Sequence, residues 1–123
     1  MKKILLVNSV ILYYEKNKSL LNRSEFEVFT AVSGGEALRV HRDKKMDLIV
    51  ADLNMPQMSG DELCSIIRTE KEFRNVSILL TCRDTPDELE RIAQSGANAW
   101  ITKPIDSGQF LAKIGQLLAI SIR

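Results

Sequence analysis

Three apolar runs in this chain each end on a polar residue that could do chemistry. Asp52 closes Met46-Asp47-Leu48-Ile49-Val50-Ala51, Thr81 closes Val76-Ser77-Ile78-Leu79-Leu80, and Lys103 closes Ala99-Trp100-Ile101-Thr102. A carboxylate is a nucleophile without prior deprotonation, a hydroxyl is a short-range hydrogen-bond donor, and an ammonium is a compact point charge. Asp52 also opens the stretch Leu53-Asn54-Met55-Pro56-Gln57-Met58-Ser59-Gly60, a loop punctuated by Pro and Gly. A lone carboxylate at the tip of a buried strand, followed by such a loop, is where open α/β sheets place their chemistry. The three strand ends are expected to converge on one pocket.

The elements that must position them repeat a strand-then-helix pattern five times, with no internal repeat, low-complexity tract or linker. Ile4-Leu5-Leu6-Val7 is continuously apolar, as a strand buried on both faces should be. A helix is expected over 10–22, with Ile11, Leu12, Leu20 and Leu21 facing the core. Phe26–Ala31 alternates and suits an edge strand. Ser33-Gly34-Gly35-Glu36 has capping-box spacing and starts the second helix. Strands are expected over 48–51, 76–80 and 98–102. The third helix begins at Ser59 or Gly60 and carries Leu63, Ile66 and Ile67. Thr85-Pro86-Asp87-Glu88 reads as N-cap, proline at the first helical position and acids in the first turn. Gly96 ends that fourth helix. Asp106 or Ser107 caps the last, which carries Phe110, Leu111, Ile114, Leu117 and Leu118. Strands joined through helices must run parallel, so the fold class is α/β, a doubly wound five-stranded parallel sheet in the order 2-1-3-4-5. In that order the crevice lies beyond Asn8-Ser9, Asp52 and Thr81, with Lys103 beside them on the fifth strand.

Composition excludes several function classes. At 123 residues the chain is read as a single domain over 1–123. A net charge of +1 offers no basic field for nucleic acid or an anionic membrane. No apolar run is long enough to span a bilayer, and the short apolar stretch after Met1-Lys2-Lys3 is no signal peptide, so a cytoplasmic location is expected. Cys64 and Cys82 are the only two cysteines and stand apart from any ligand-spaced partner, which favours packing over redox or metal roles. His41, the only histidine, follows Ala37 and Leu38 at helical spacing and reads as a partly covered bystander. The mixed-charge stretches 15–18, 42–45 and 87–91 read as solvated helix faces.

The ordered set resembles the receiver domain of two-component response regulators. The pieces are Ile4-Leu5-Leu6-Val7, Asp52 with Met55-Pro56 and Ser59-Gly60, Leu80-Thr81, Gly96-Ala97-Asn98 and Thr102-Lys103-Pro104. The resemblance covers essentially the whole chain and implies a flavodoxin-like (βα)5 fold. It implies that Asp52 is the phosphoacceptor, taking a phosphoryl group from the histidine of a sensor kinase or a phosphotransfer protein as an acyl phosphate. Lys103 would hold one phosphoryl oxygen, and Thr81 would swing inward to bond another. Trp100 stands at the family's aromatic switch position; switching, plain core packing and a cap on the sheet edge are all open for it. The output face, for a downstream domain or protein, would be the region around Trp100 and the last two helices. Asn54 and Arg83 would flank the pocket. Such a domain is not an enzyme beyond its own phosphorylation and dephosphorylation.

One departure stands out. The family carries two adjacent acids after the first strand, which hold the magnesium ion needed for phosphoryl transfer; this chain has Asn8-Ser9. The metal donors left are Asp52, the backbone carbonyl of Asn54, and neutral oxygens from Ser9 and Asn8. A unit charge and a divalent ion about 4 Å apart attract by roughly 8 kcal/mol gross at an effective dielectric near 20. Losing two such partners should leave magnesium binding weak or absent and phosphorylation impaired. Asp52 and Lys103, balanced one to one, are expected to form a direct ion pair.

The alternative within the same fold is a pseudo-receiver, a protein-interaction module independent of phosphorylation. A hydrolase using Asp52 as covalent nucleophile, as in haloacid-dehalogenase-like phosphatases, would need an acid two positions on, where Asn54 stands. Dinucleotide binding lacks its glycine-rich turn after the first strand.

Overall fold

The computed structural model describes residues 1–119. Five parallel strands, β1 (Lys2–Val7), β2 (Phe26–Ala31), β3 (Leu48–Asp52), β4 (Ser77–Cys82) and β5 (Ala99–Thr102), lie in the order β2-β1-β3-β4-β5. The expected topology is therefore the observed one. Five α-helices alternate with them: α1 (Ser9–Lys16), α2 (Gly34–Lys44), α3 (Gly60–Thr69), α4 (Pro86–Ser95) and α5 (Ser107–Leu118).

Strand parity divides the core into two layers. Ile4, Leu6, Leu48, Val50, Leu79 and Ile101 pack with Val10 of α1 and with Phe110, Ile114 and Leu118 of α5. Leu5, Val7, Ile49, Ala51, Ile78 and Leu80 face the other way, against Leu38, Leu63, Ile67 and Ile92 of α2, α3 and α4. The central strand β3 is buried throughout, which accounts for its unbroken apolar run. Each fully covered Leu or Ile side chain contributes about 1.5–3 kcal/mol. The same parity carries Asp52 and Thr81 to the α1/α5 side of the sheet, where the site forms.

Start and stop signals mostly act as expected. Ser33 accepts the Glu36 N–H at 3.2 Å, and Ser59 with Glu62 closes a full capping box. Thr85 caps α4, Pro86 opens it, and Gly96 ends it with φ of 88°. Asp106 caps α5 through the Gln109 N–H.

Two readings are corrected. The first helix does not run over 10–22: it stops at Lys16, followed by a 3-10 turn, Lys18–Leu20. Asn17 is the reason, since its backbone N–H takes the Tyr14 carbonyl and its side chain the Tyr13 carbonyl, both near 3 Å. His41 is no bystander. It is 3% exposed, its Nδ1 accepts the Met46 N–H and its Nε2 faces the Phe73 carbonyl, each at 3.0 Å. Those partners assign the proton to Nε2 and make His41 a tie between the C-terminal end of α2 and the loop before β4. Both cysteines are buried, and burial pushes the Cys64 thiol up to about 12.

Candidate functional site

Asp52 is the last residue of β3 and Thr81 its direct partner in β4. The register alone places the two side chains side by side on one face of the sheet. Lys103 follows β5, and its backbone N–H bonds the Cys82 carbonyl at 2.8 Å, continuing the ladder one step past the strand. The Lys103–Pro104 peptide is cis. Ser9, the first residue of α1, arrives from the end of β1.

Three of these residues meet on one oxygen of the fourth. Oδ2 of Asp52 pairs with Lys103 Nζ and accepts the hydroxyls of Thr81 at 3.0 Å and Ser9 at 3.3 Å. Oδ1 accepts the backbone N–H of Asn54 at 2.8 Å. The carboxylate is 1% exposed, while the lysine side chain is 40% exposed and opens to solvent. The expected direct pair between Asp52 and Lys103 is present.

Gly60 is needed to shape this cleft. A Cβ there would lie 2.6 Å from the Asp52 carbonyl oxygen and 3.0 Å from Leu53 Cα, because the loop after β3 doubles back until Gly60 N–H bonds the Leu53 carbonyl. At the loop's tip Gln57 takes φ of 68°, with Met58 N–H bonded to the Pro56 carbonyl.

Other expected residues fall elsewhere. Asn8 commits both ends of its amide locally: Oδ1 accepts the Ser9 N–H and Nδ2 donates to the Val32 carbonyl, each at 2.9 Å. Its backbone is at φ 58° and ψ −124°, a region L-residues rarely adopt. Asn54 touches Asp52 through its N–H. Trp100 is 49% exposed on edge strand β5, so it is not a core residue, and it borders a groove with Gln109 and Lys113 of α5.

For a magnesium ion this donor set is poor. Among the described residues no cluster of three His, Cys, Asp or Glu side chains stands at ligating distances. Asp52, the one acid among the expected donors, already has both oxygens engaged, and a small hard cation needs near-octahedral oxygen donors.

A second polar layer lies behind the cleft, and the reading of 87–91 as a solvated face missed it. Glu88 of α4 is 3% exposed. Its carboxylate accepts Asn54 Nδ2 at 3.0 Å and the Arg83 N–H at 2.9 Å, and pairs with Arg83 Nε. Burial opposes its ionisation, yet the Arg83 N–H, the Arg83 guanidinium and the Asn54 amide together hold the carboxyl below its usual range. Arg91 clamps Asp61 of α3 through two bonds of 3.2 and 3.0 Å and donates to Asn54 Oδ1 at 3.0 Å. The Asp61 carboxyl is likewise lowered: partial burial works against it, and bonds from Arg91, Ser59 and its own N–H outweigh that. The sequence signals for this layer were the expected places of Asn54 and Arg83 beside the pocket and of Glu88 three residues after the Thr85 cap.

The response regulator receiver domain family matches residues 4–115. The polar-differentiation response regulator DivK of Brucella ovis is 30% identical over 118 residues, 95% of this chain and 96% of that protein. Hybrid signal transduction histidine kinase D of Dictyostelium discoideum is 34% identical over 102 residues, 82% of this chain but only 6% of that much longer protein. The receiver domain of the Pseudomonas aeruginosa PAO1 sensor histidine kinase PA1611, solved with a magnesium ion coordinated in its active-site cleft, shares the fold at 21% identity (TM-score 0.84, 96% of this chain and 98% of that one). Strand order, a carboxylate at the tip of β3 and the extent of these matches agree: the chain belongs to the response regulator receiver domain family.

Proposed function

We propose that Asp52 is the phosphoacceptor of this receiver and that its metal-dependent phosphorylation is impaired. The observation that carries this reading is the convergence of Lys103, Thr81 and Ser9 on Oδ2 of Asp52, where the residues after β1 are the neutral Asn8 and Ser9 and no cluster of three His, Cys, Asp or Glu side chains forms among the described residues. The PA1611 receiver holds magnesium in its cleft; here an ion would have to displace three donors from an oxygen it needs. An attacking carboxylate must also be freed from Lys103 before it reaches phosphorus. Once a phosphoryl group is in place, Lys103 and Thr81 stand ready to bind its oxygens. The donor would be a sensor histidine kinase or phosphotransfer protein, and the output surface would lie around Trp100, α4 and α5. Among the described residues no helix is long and apolar enough to cross a membrane.

The second reading is a pseudo-receiver, favoured by the same saturated carboxylate. Incubation with acetyl phosphate and magnesium, followed by intact mass, separates the two. A slow phosphate adduct that disappears in Asp52→Asn supports the impaired receiver. No adduct at any magnesium concentration, with kinase supplied as well, leaves the pseudo-receiver; rapid stoichiometric labelling refutes the impairment.

A further inference from the structure

Helix α4 carries a buried carboxylate whose bonds all leave the helix. Glu88 stands three residues after the Thr85 cap, the position from which a capping-box glutamate reaches back to the cap's backbone N–H. Glu62 does so in α3. Glu88 does not. Its Oε1 takes Asn54 Nδ2 and the Arg83 N–H, and its Oε2 takes Arg83 Nε. Asn54 lies two residues after Asp52 and Arg83 two after Thr81, so one carboxylate joins the two loops that flank the cleft. Asn54 is also held from its other end by Arg91, itself fixed to Asp61. Its backbone N–H is the donor on Asp52 Oδ1.

We infer that Glu88 is a positioning residue for Asp52, fixing the Asn54 peptide that holds Oδ1 and tying it to the start of α4. A buried acid is costly to keep, and the Thr85 hydroxyl, accepting the Glu88 N–H, already caps the helix. The carboxylate therefore serves the loops. The positioning rests on these bonds and not on Asp52 being the reactive group proposed above.

Amide hydrogen exchange followed by NMR on the whole chain tests it without any phosphorylation. Glu88→Ala should lower protection of the Asn54 amide about tenfold or more. The Leu53 and Gly60 amides, bonded to the Thr81 and Leu53 carbonyls at 2.8 Å, should keep theirs. Glu88→Gln, which retains one acceptor oxygen, should restore most of the Asn54 protection. If Glu88→Ala does not fold, Asn54→Ala cuts the same tether from the other side and should loosen the amide at position 54 equally. Unchanged protection at position 54, or a loss shared evenly with Leu53 and Gly60, overturns the inference. A chain that never accepts phosphate but shows the selective loss would refute only the phosphoacceptor reading.

Discussion

Lys103 and Asp52 form a contact pair across the sheet's carboxyl edge, the acid 1% exposed and the lysine 40%. Two consequences follow from that asymmetry. The carboxylate depends on its partners because water cannot solvate it, whereas the lysine can be rehydrated if the pair breaks. The pair is therefore easier to open from the lysine side, toward solvent, than by moving the acid.

Truncating the lysine should accordingly be costly. Lys103→Met leaves a buried carboxylate with only hydroxyl and amide donors, and breaking buried pairs costs about 3–5 kcal/mol. Because Lys103 is partly exposed, we expect less than that range, about 2–3 kcal/mol by urea denaturation. Adding Asp52→Asn to Lys103→Met should recover most of that loss, since the uncompensated charge is gone. A double variant as unstable as the single one would mean that Lys103 contributes by packing its stem, not by its charge.

Restoring acids should restore the metal. With Asn8→Asp and Ser9→Asp together, two carboxylates return to the end of β1 and the hydroxyl now on Asp52 Oδ2 is removed. Magnesium affinity measured by calorimetry should rise at least tenfold over the parent chain, a small part of the gross Coulomb gain. Labelling by acetyl phosphate should accelerate with it. Equal affinities for parent and variant would show that the acid pair is not what the cleft lacks.

The reach of the sequence is seen best at particular residues. Asp52 and Thr81 could be paired in advance because both end apolar runs, and a parallel sheet in the order 2-1-3-4-5 sets those two runs side by side. The apolar periods and caps likewise located every helix start to within a residue. What escaped was settled by particular side-chain contacts, one of them local and others remote in sequence. Asn17 ends α1 through its own side chain, which competes with the helix for carbonyls while the apolar pattern runs on to Leu21. Glu88 and His41 looked like surface and bystander residues because one partner of each, Asn54 and Phe73, lies more than thirty positions away, 34 and 32 respectively. No local pattern reveals such a partner.

Arg68 makes the same point and yields a stability prediction. Its guanidinium bonds the carbonyls of Gly96, Arg74 and Val76 at 3.1, 2.6 and 2.6 Å and Asn98 Oδ1 at 2.8 Å. Asn98 Oδ1 in turn accepts the Ile78 N–H at 2.7 Å. The residue thus ties α3 to the end of α4 and the entries of β4 and β5. Arg68→Lys supplies a point charge without the planar fork, so it should still cost about 1–2 kcal/mol, and Arg68→Ala about 2–3. The Asn54 and Leu53 amides should exchange as in the parent under native conditions, because Arg68 lies at the opposite end of the strands from Asp52.

Acid should unfold the chain partly through Glu88 and Asp61. Both carboxyls sit below their usual range in the folded state, Glu88 despite its burial because of Arg83 and Asn54, Asp61 because of Arg91 and Ser59. A folded carboxyl held below its unfolded value adds stability that is fully present above the unfolded value, about 4.3 for Glu and 3.9 for Asp. That contribution is lost as pH falls through the folded value. Urea midpoints measured from pH 7 downward should thus hold to about pH 5 and then decline. Glu88→Gln removes one titrating group and should start lower but fall less steeply, so the two curves approach each other in acid. Parallel curves would show that Glu88 titrates alike in the folded and unfolded chain, and that its buried contacts with Arg83 and Asn54 do not favour the charged form.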